Sequence, residues 1–238
     1  MIIYQRDHDT AVQVPEGEVW VIPDPAFPLL RDYWKWEWEG PLIQRFLERM
    51  KPGEVLVDAG AHVGTWTLPF ARAGYFVYAF EPSALFSRCL RAAAVLNDCE
   101  RSVSVHQRAL GSAPGLVQLR VVAACGGCSS IAGPPTSLRP DHARPAFGTE
   151  QVVVQTLDSF DVGNVGLIKV DVEGHELALL QGAVRTLERC GWPPVVYECW
   201  MHDWFAEQRV AVEAFLAELG YKVQRLEGNW PPMFLAER

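Results

Sequence analysis

The residues of this 238-residue chain with the clearest chemical content run Val57-Asp58-Ala59-Gly60-Ala61-His62-Val63-Gly64. Glycine carries no side chain, so a turn built on Gly60 and Gly64 lets the backbone approach a ligand closely. The spacing Asp-x-Gly-x-x-x-Gly departs from the Gly-x-Gly-x-x-Gly that makes room for a pyrophosphate. A carboxylate just ahead of such a turn repels phosphate and suits a cationic ligand, and the ammonium and sulfonium of S-adenosylmethionine are both positive. Glu81-Pro82 follows about 20 residues on, where an acidic strand-end side chain accepts ribose hydroxyls in Rossmann-like sites. These features favour a methyl donor over a nicotinamide dinucleotide.

A second group is Lys169-Val170-Asp171-Val172-Glu173-Gly174-His175-Glu176. In a strand, Lys169 and Asp171 share one face, and Asp171 emerges at the carboxyl end. A carboxylate beside a charge that tunes it is a candidate proton acceptor, which methyl transfer to oxygen requires. Asp171 or Glu173 is the leading base, with Lys169 as positive partner. Glu173 and Glu176 also suit the positive start of a following helix, the reading preferred for Glu176. Glu198 ends another apolar run, and strand-end carboxylates converging with Asp171 would suit a divalent cation. With Lys169 near, that cation is the less favoured alternative.

Positioning these groups requires alternating strands and helices. Val55 to Asp58, Phe76 to Phe80 and Val103 to Gln107 read as strands, with helices over 65–72 and 85–96, a βαβαβ half that predicts a parallel sheet. Strand 166–171, helix 176–190, strand 195–198, helix 208–219 and strands 221–226 and 233–236 complete it. An insertion at about 112–160 holds strands 116–122 and 151–156 around a Gly/Pro-rich loop, expected near the site. The expected division is a Rossmann-like α/β domain over 51–238, preceded over 1–50 by a cap or lid and a lead-in helix. Prolines 15, 23, 25 and 28 predict irregular structure there, and Tyr33 to Glu39 alternates rings, including Trp34, Trp36 and Trp38, with charges. Such a segment is either core packing or a lid over the site.

Bulk properties narrow the function further. With 49% hydrophobic and 21% charged residues the composition is that of a globular domain. A net charge of -8 without a basic cluster opposes phosphate binding, so no nucleic-acid partner is expected. The start reaches charges before any long apolar stretch, and no later run approaches about 18 apolar residues, so no membrane association and a cytoplasmic location are expected. Six scattered cysteines read as reduced thiols, and Cys125-Gly-Gly-Cys128 lacks the second pair of a zinc site. Nothing in the sequence fixes an oligomeric state.

The segments VDAGAHVGTWTL, FEPS and IKVDVEGHELALLQGA resemble the FkbM-type methyltransferases. The resemblance runs from about Glu37 to Glu198 and includes Arg108 to Gly111, Ser129-Ser130 and Thr156 to Ser159. It implies a seven-stranded, mostly parallel sheet with helices on both faces, S-adenosylmethionine over the first strands' carboxyl ends, and a hydroxyl acceptor. On that basis Asp58, Gly60, Gly64 and Glu81 bind the cofactor, with Ala61, His62, Pro82 and Ala109 as neighbours. His62 departs from the family, which often has Asn there. The expected function is O-methylation of a small-molecule hydroxyl, on a sugar or secondary metabolite. N-methylation of a small amine and cofactor binding without catalysis are the alternatives.

Overall fold

The computed structural model describes residues 2–6, 9–13, 17–23, 39–122, 130–131, 146–199, 201, 203–227 and 232–238. The chain opens with an antiparallel meander, β1 (Ile2–Arg6), β2 (Asp9–Gln13) and β3 (Val19–Pro23). Helix α1 (Gly40–Arg49) then leads into β4 (Val55–Ala59), α2 (Thr67–Arg72), β5 (Phe76–Phe80), α3 (Ala84–Leu96) and β6 (Val103–His106). Next come β7 (Ala109–Leu110), β8 (Gly115–Val122), β9 (Ser130–Ile131) and β10 (Ala146–Gln155). The remainder is β11 (Val165–Val170), α4 (Glu176–Gln181), α5 (Val184–Arg189), β12 (Val195–Glu198), α6 (Ala206–Glu218), β13 (Lys222–Arg225) and β14 (Met233–Glu237).

The central sheet has seven strands in the order β13-β14-β12-β11-β4-β5-β6. β14 runs antiparallel to both neighbours, whereas β12, β11, β4, β5 and β6 pair in parallel. Strands covered on both faces read as continuous apolar runs, and β4 and β11 are buried along nearly their whole length. Alternate residues feed opposite layers. Leu56, Val77 and Ala79 join Phe46, Leu68, Phe86 and Leu90 beneath α1 to α3. Val57, Ala59 and Phe80 join Leu179, Leu187, Val212 and Leu216 beneath α4 to α6. The chain runs outward from β4 through β5 to β6, then returns to β11 on β4's other side. The carboxyl ends of β4 and β11 therefore flank a topological switch point, where open α/β sheets bind ligands.

Three expectations need correcting. The first 50 residues are not irregular throughout, because the short runs within residues 2–23 form the meander. The helix expected over 176–190 is two helices, broken at Gly182. A Cβ there would lie 2.0 Å from the Gly111 carbonyl oxygen, and Asp158 accepts hydrogen bonds from the Arg185 and Thr186 amides to start α5. The insertion is more than a looped pair of strands, because β8 and β10 pair antiparallel within a separate four-stranded sheet, β7-β10-β8-β9. No helix among the described residues is long and apolar enough to cross a membrane.

The meander is fastened to the main domain through Asn97, the residue capping α3. Its amide donates to the Val19 and Ala93 carbonyls, each at 2.7 Å, and its oxygen accepts from the Val19 amide at 2.8 Å. Asn97→Ala leaves part-buried backbone groups without those partners, so we expect a loss of about 1–3 kcal/mol. In a chain of this size that lowers the melting temperature by about 2–4 °C per kcal/mol. An unchanged thermal scan would show that Asn97 does not hold the meander.

Candidate active site

At the end of β4 the chain enters a left-handed bend, with φ of +79° at Gly60, +51° at His62 and +104° at Gly64. The Gly60 and Ala61 amides both donate to the Phe80 carbonyl, and the Asp171 amide donates to Ala59. β11 leaves the sheet so close to the bend that a Cβ on Gly60 would lie 1.8 Å from the Asp171 carbonyl oxygen. A Cβ on Gly64 would meet Leu90 at 2.6 Å and Leu68 at 3.0 Å. The two glycines thus answer to separate neighbours, one a strand end and the other a helix pair.

Beneath this bend lies a buried ion cluster. Asp58 is 0% exposed; its Oδ2 accepts the Thr67 hydroxyl at 2.6 Å, and its Oδ1 lies 3.4 Å from Lys169 Nζ. Lys169 donates to the Gly60 carbonyl at 2.8 Å and lies 3.4 Å from Asp171 Oδ2. Burial works against the ammonium, yet Asp171, Asp58 and Glu39 hold its pKa above the usual lysine range. The cation beside Asp58 is therefore the protein's own Lys169, and Asp58 supports the ligand bend from below.

Glu81 follows β5 on the other side of the bend. Its Oε2 accepts the His62 amide at 2.8 Å and its Oε1 the Ser83 amide at 2.9 Å. Each oxygen keeps a lone pair for a ligand hydroxyl. Burial pushes its pKa up to about 7, against those amides. Pro82 is half-buried beside it, Ala61 is buried within the bend, and Ala109 is buried in β7 opposite Val154. Glu150 of β10 accepts the Ala84 amide at 2.9 Å and the Ser83 hydroxyl at 3.3 Å, which brings the insertion to the start of α3. The His62 ring packs 4.4 Å from Phe86 between centroids, and its sealed Nε2 has no partner. Burial and Lys169 lower its pKa to about 3, so His62 is a neutral packing residue at ordinary pH.

The Glu81 shift fixes the sign of a pH effect. A carboxyl raised to about 7 from 4.5 binds its proton more tightly in the fold, so its stabilising contribution is complete below 4.5 and lost as pH rises through 7. Ligand hydroxyls prefer the ionised form. Donor-free protein should therefore melt lower as pH rises from 5 to about 8, while affinity for S-adenosylhomocysteine rises over the same window. Glu81→Gln should flatten the affinity trend and lessen the melting trend, to which Glu39 and Glu176 also contribute; parallel pH profiles for the two proteins would remove Glu81 from this role.

On the far side of the bend stand Asp171, Glu173 and Glu198, whose carboxylates offer oxygens all within 4.8 Å of one another. Asp171 is 25% exposed at its side chain, whereas Asp58 and Lys169 are sealed. Glu173 takes φ +54° and Gly174 φ +99°, a conformation costly for glutamate and a mark of functional loops. That loop is held by Gly174, whose amide donates to Glu176 and whose carbonyl accepts from Gln208. Glu176 is buried and braces the loop, in line with its expected helix-start role. Glu198 is 6% exposed; burial and the charges of Asp171 and Glu173 raise its pKa well above the carboxylate range.

Glu39, which the sequence pattern did not single out, acts electrostatically on Lys169 and Asp171. It precedes α1, accepts a hydrogen bond from Trp66 Nε1 at 3.1 Å, and is pushed up to about 7 by burial, with Lys169 opposing and Asp171 adding. Its signal was the last charge of the Tyr33 to Glu39 alternation, overshadowed by the tryptophans. Trp34, Trp36, Trp38, Cys125, Cys128, Ser129 and His202 lie outside the described residues.

With this geometry in place, the sequence profile of the methyltransferase FkbM domain matches residues 58–223, spanning the bend, Glu81, Asp171 and Glu198. The chain belongs to the FkbM methyltransferase family. It is 27% identical over 206 residues to methyltransferase sdnD of Sordaria araneosa, covering 74% of this chain and 77% of that one. The crystal structure of an FkbM methyltransferase from Methylobacillus flagellatus matches with a TM-score of 0.53 at 16% identity, over 78% of this chain. The chain spans 44% of that longer chain. A chain assigned as an rRNA methylase in Clostridium thermocellum gives a TM-score of 0.53 at 13% identity, covering 83% of this chain and 92% of that one. The structural matches establish the Rossmann-like methyltransferase fold.

Proposed function

We propose that this FkbM methyltransferase moves the methyl group of S-adenosylmethionine to a hydroxyl oxygen of a small molecule such as a sugar or another secondary metabolite. The observation carrying the acceptor half is the exposure of Asp171. It is the open member of an otherwise sealed Asp58–Lys169–Asp171 cluster, and it leaves β11 directly against the Gly60 bend. Glu81 would accept the donor's ribose hydroxyls and the Gly60 bend would hold its sulfonium end, with Asp171 standing beside that bend. The sulfonium already activates the methyl, and the protein supplies alignment for in-line displacement. The new C–O bond forms as the C–S bond breaks, leaving a neutral thioether. The hydroxyl proton passes to Asp171 or Glu173, and the Lys169 ammonium lies 3.4 Å from Asp171 Oδ2 as its positive partner. A net charge of -8 favours a small acceptor over a nucleic acid.

Calorimetry with S-adenosylhomocysteine and NAD, followed by transfer of labelled methyl to a panel of hydroxyl and amine acceptors, tests the reading. Tight binding of S-adenosylhomocysteine with label appearing on a hydroxyl is expected. Binding of NAD alone, or donor binding without turnover on any acceptor, would sink it. The acidic cluster also favours a cationic amine acceptor, and the Asp171 substitution argued in the Discussion separates the two.

A further inference from the structure

We propose that Asp171, Glu173 and Glu198 bind one divalent cation of the magnesium and manganese class, and that the acceptor's hydroxyl oxygen completes its coordination. The role in catalysis rests on the methyl-transfer reading, but the cation site stands on its own geometry. β11 and β12 run in parallel with Val170 beside Tyr197, so Asp171 and Glu198 leave the sheet as neighbours, and Glu173 comes back to them from the bent loop. Hard cations hold carboxylate oxygens at about 2.0–2.6 Å, which sets ligand oxygens about 3–5 Å apart. The three carboxylates already offer oxygens within 4.8 Å of one another.

An independent observation points to an occupant. Glu198 Oε1 is sealed from water and accepts no hydrogen bond, in a residue only 6% exposed. A buried acceptor left in that state is costly, and a cation would satisfy it. Lys169 does not fill the role. An ammonium has three donors, and Lys169 directs its Nζ at Gly60, Asp58 and Asp171. Among the described residues the cluster is made of carboxylates, without sulfur or imidazole, which suits hard ions over zinc or copper. A bound ion would draw the acceptor oxygen beside the methyl and lower its pKa, easing transfer of its proton to Asp171 or Glu173 as the C–O bond forms and the C–S bond breaks.

The test is a manganese titration of the whole protein followed by electron paramagnetic resonance, with S-adenosylhomocysteine calorimetry on the same samples. One manganese per chain is expected, with affinity falling about tenfold or more in both Glu173→Gln and Glu198→Gln. S-adenosylhomocysteine affinity should be unchanged in Glu173→Gln. Glu173 is half-buried, so this variant carries the test if the buried Glu198 substitution unfolds the chain. Absence of manganese binding at about 10 mM, or affinity unaffected by Glu173→Gln, overturns the ion site. Protein that binds S-adenosylhomocysteine but not manganese loses the ion alone, whereas failure to bind S-adenosylhomocysteine removes the methyl-transfer reading.

Discussion

Gly60→Ala should abolish retention of S-adenosylhomocysteine and lower the melting temperature by about 6–12 °C. Two costs combine. At φ +79° an alanine enters the left-handed region, at about 1–2 kcal/mol. Its Cβ would also lie 1.8 Å from the Asp171 carbonyl oxygen, so β4 and β11 must part where the Asp171 amide bonds to Ala59. Together these should exceed about 3 kcal/mol. Gly53 supplies the control, because it has φ +85° and nothing within 4 Å of its Cβ position. Gly53→Ala should show only the conformational cost and keep donor binding. If calorimetry and thermal scans make the two variants alike, the close approach of β11 is not what requires glycine at position 60.

Asp171→Asn should reduce turnover on a hydroxyl acceptor by about 10²–10⁴-fold, the range of general-base contributions, with donor affinity within a fewfold of wild type. The amide keeps the shape but neither accepts the proton nor pairs with Lys169. Lys169 retains Asp58 and the Gly60 carbonyl, so the bend should persist. Single-turnover rates, measured with donor affinity on the same preparation, separate chemistry from binding. An amine acceptor needs no strong base, and retention of most of its rate would move the assignment to N-methylation. A hydroxyl rate unchanged in both Asp171→Asn and Glu173→Gln would remove these carboxylates from proton transfer.

The strand-end residues were legible because a strand buried on both faces is a plain apolar run, and the polar residue that closes it stands out. Asp58, Glu81, Asp171 and Glu198 all sit where such runs stop. Their partnerships were not legible. That Lys169 lies between Asp58 and Asp171 depends on β11 pairing with β4 in a register that sets Lys169 beside Asp58. Asp58, expected to face a ligand's charge, has Lys169 as its charged neighbour for that reason. Glu39 was hidden because it joins the cluster through α1 and Trp66, far along the chain. The split between α4 and α5 was equally hidden, since the groups that end one helix and start the next come from Asp158 in another segment.

The bond between Glu150 and the start of α3 bears on how such proteins can be recombined. The inserted sheet supplies the anion that quiets the positive end of the helix following Glu81. A chimera given a foreign segment in place of 112–160 therefore has, unless a carboxylate arrives at the equivalent of position 150, an unquenched helix start beside Glu81. A successful graft is recognised by the acid it carries at that position.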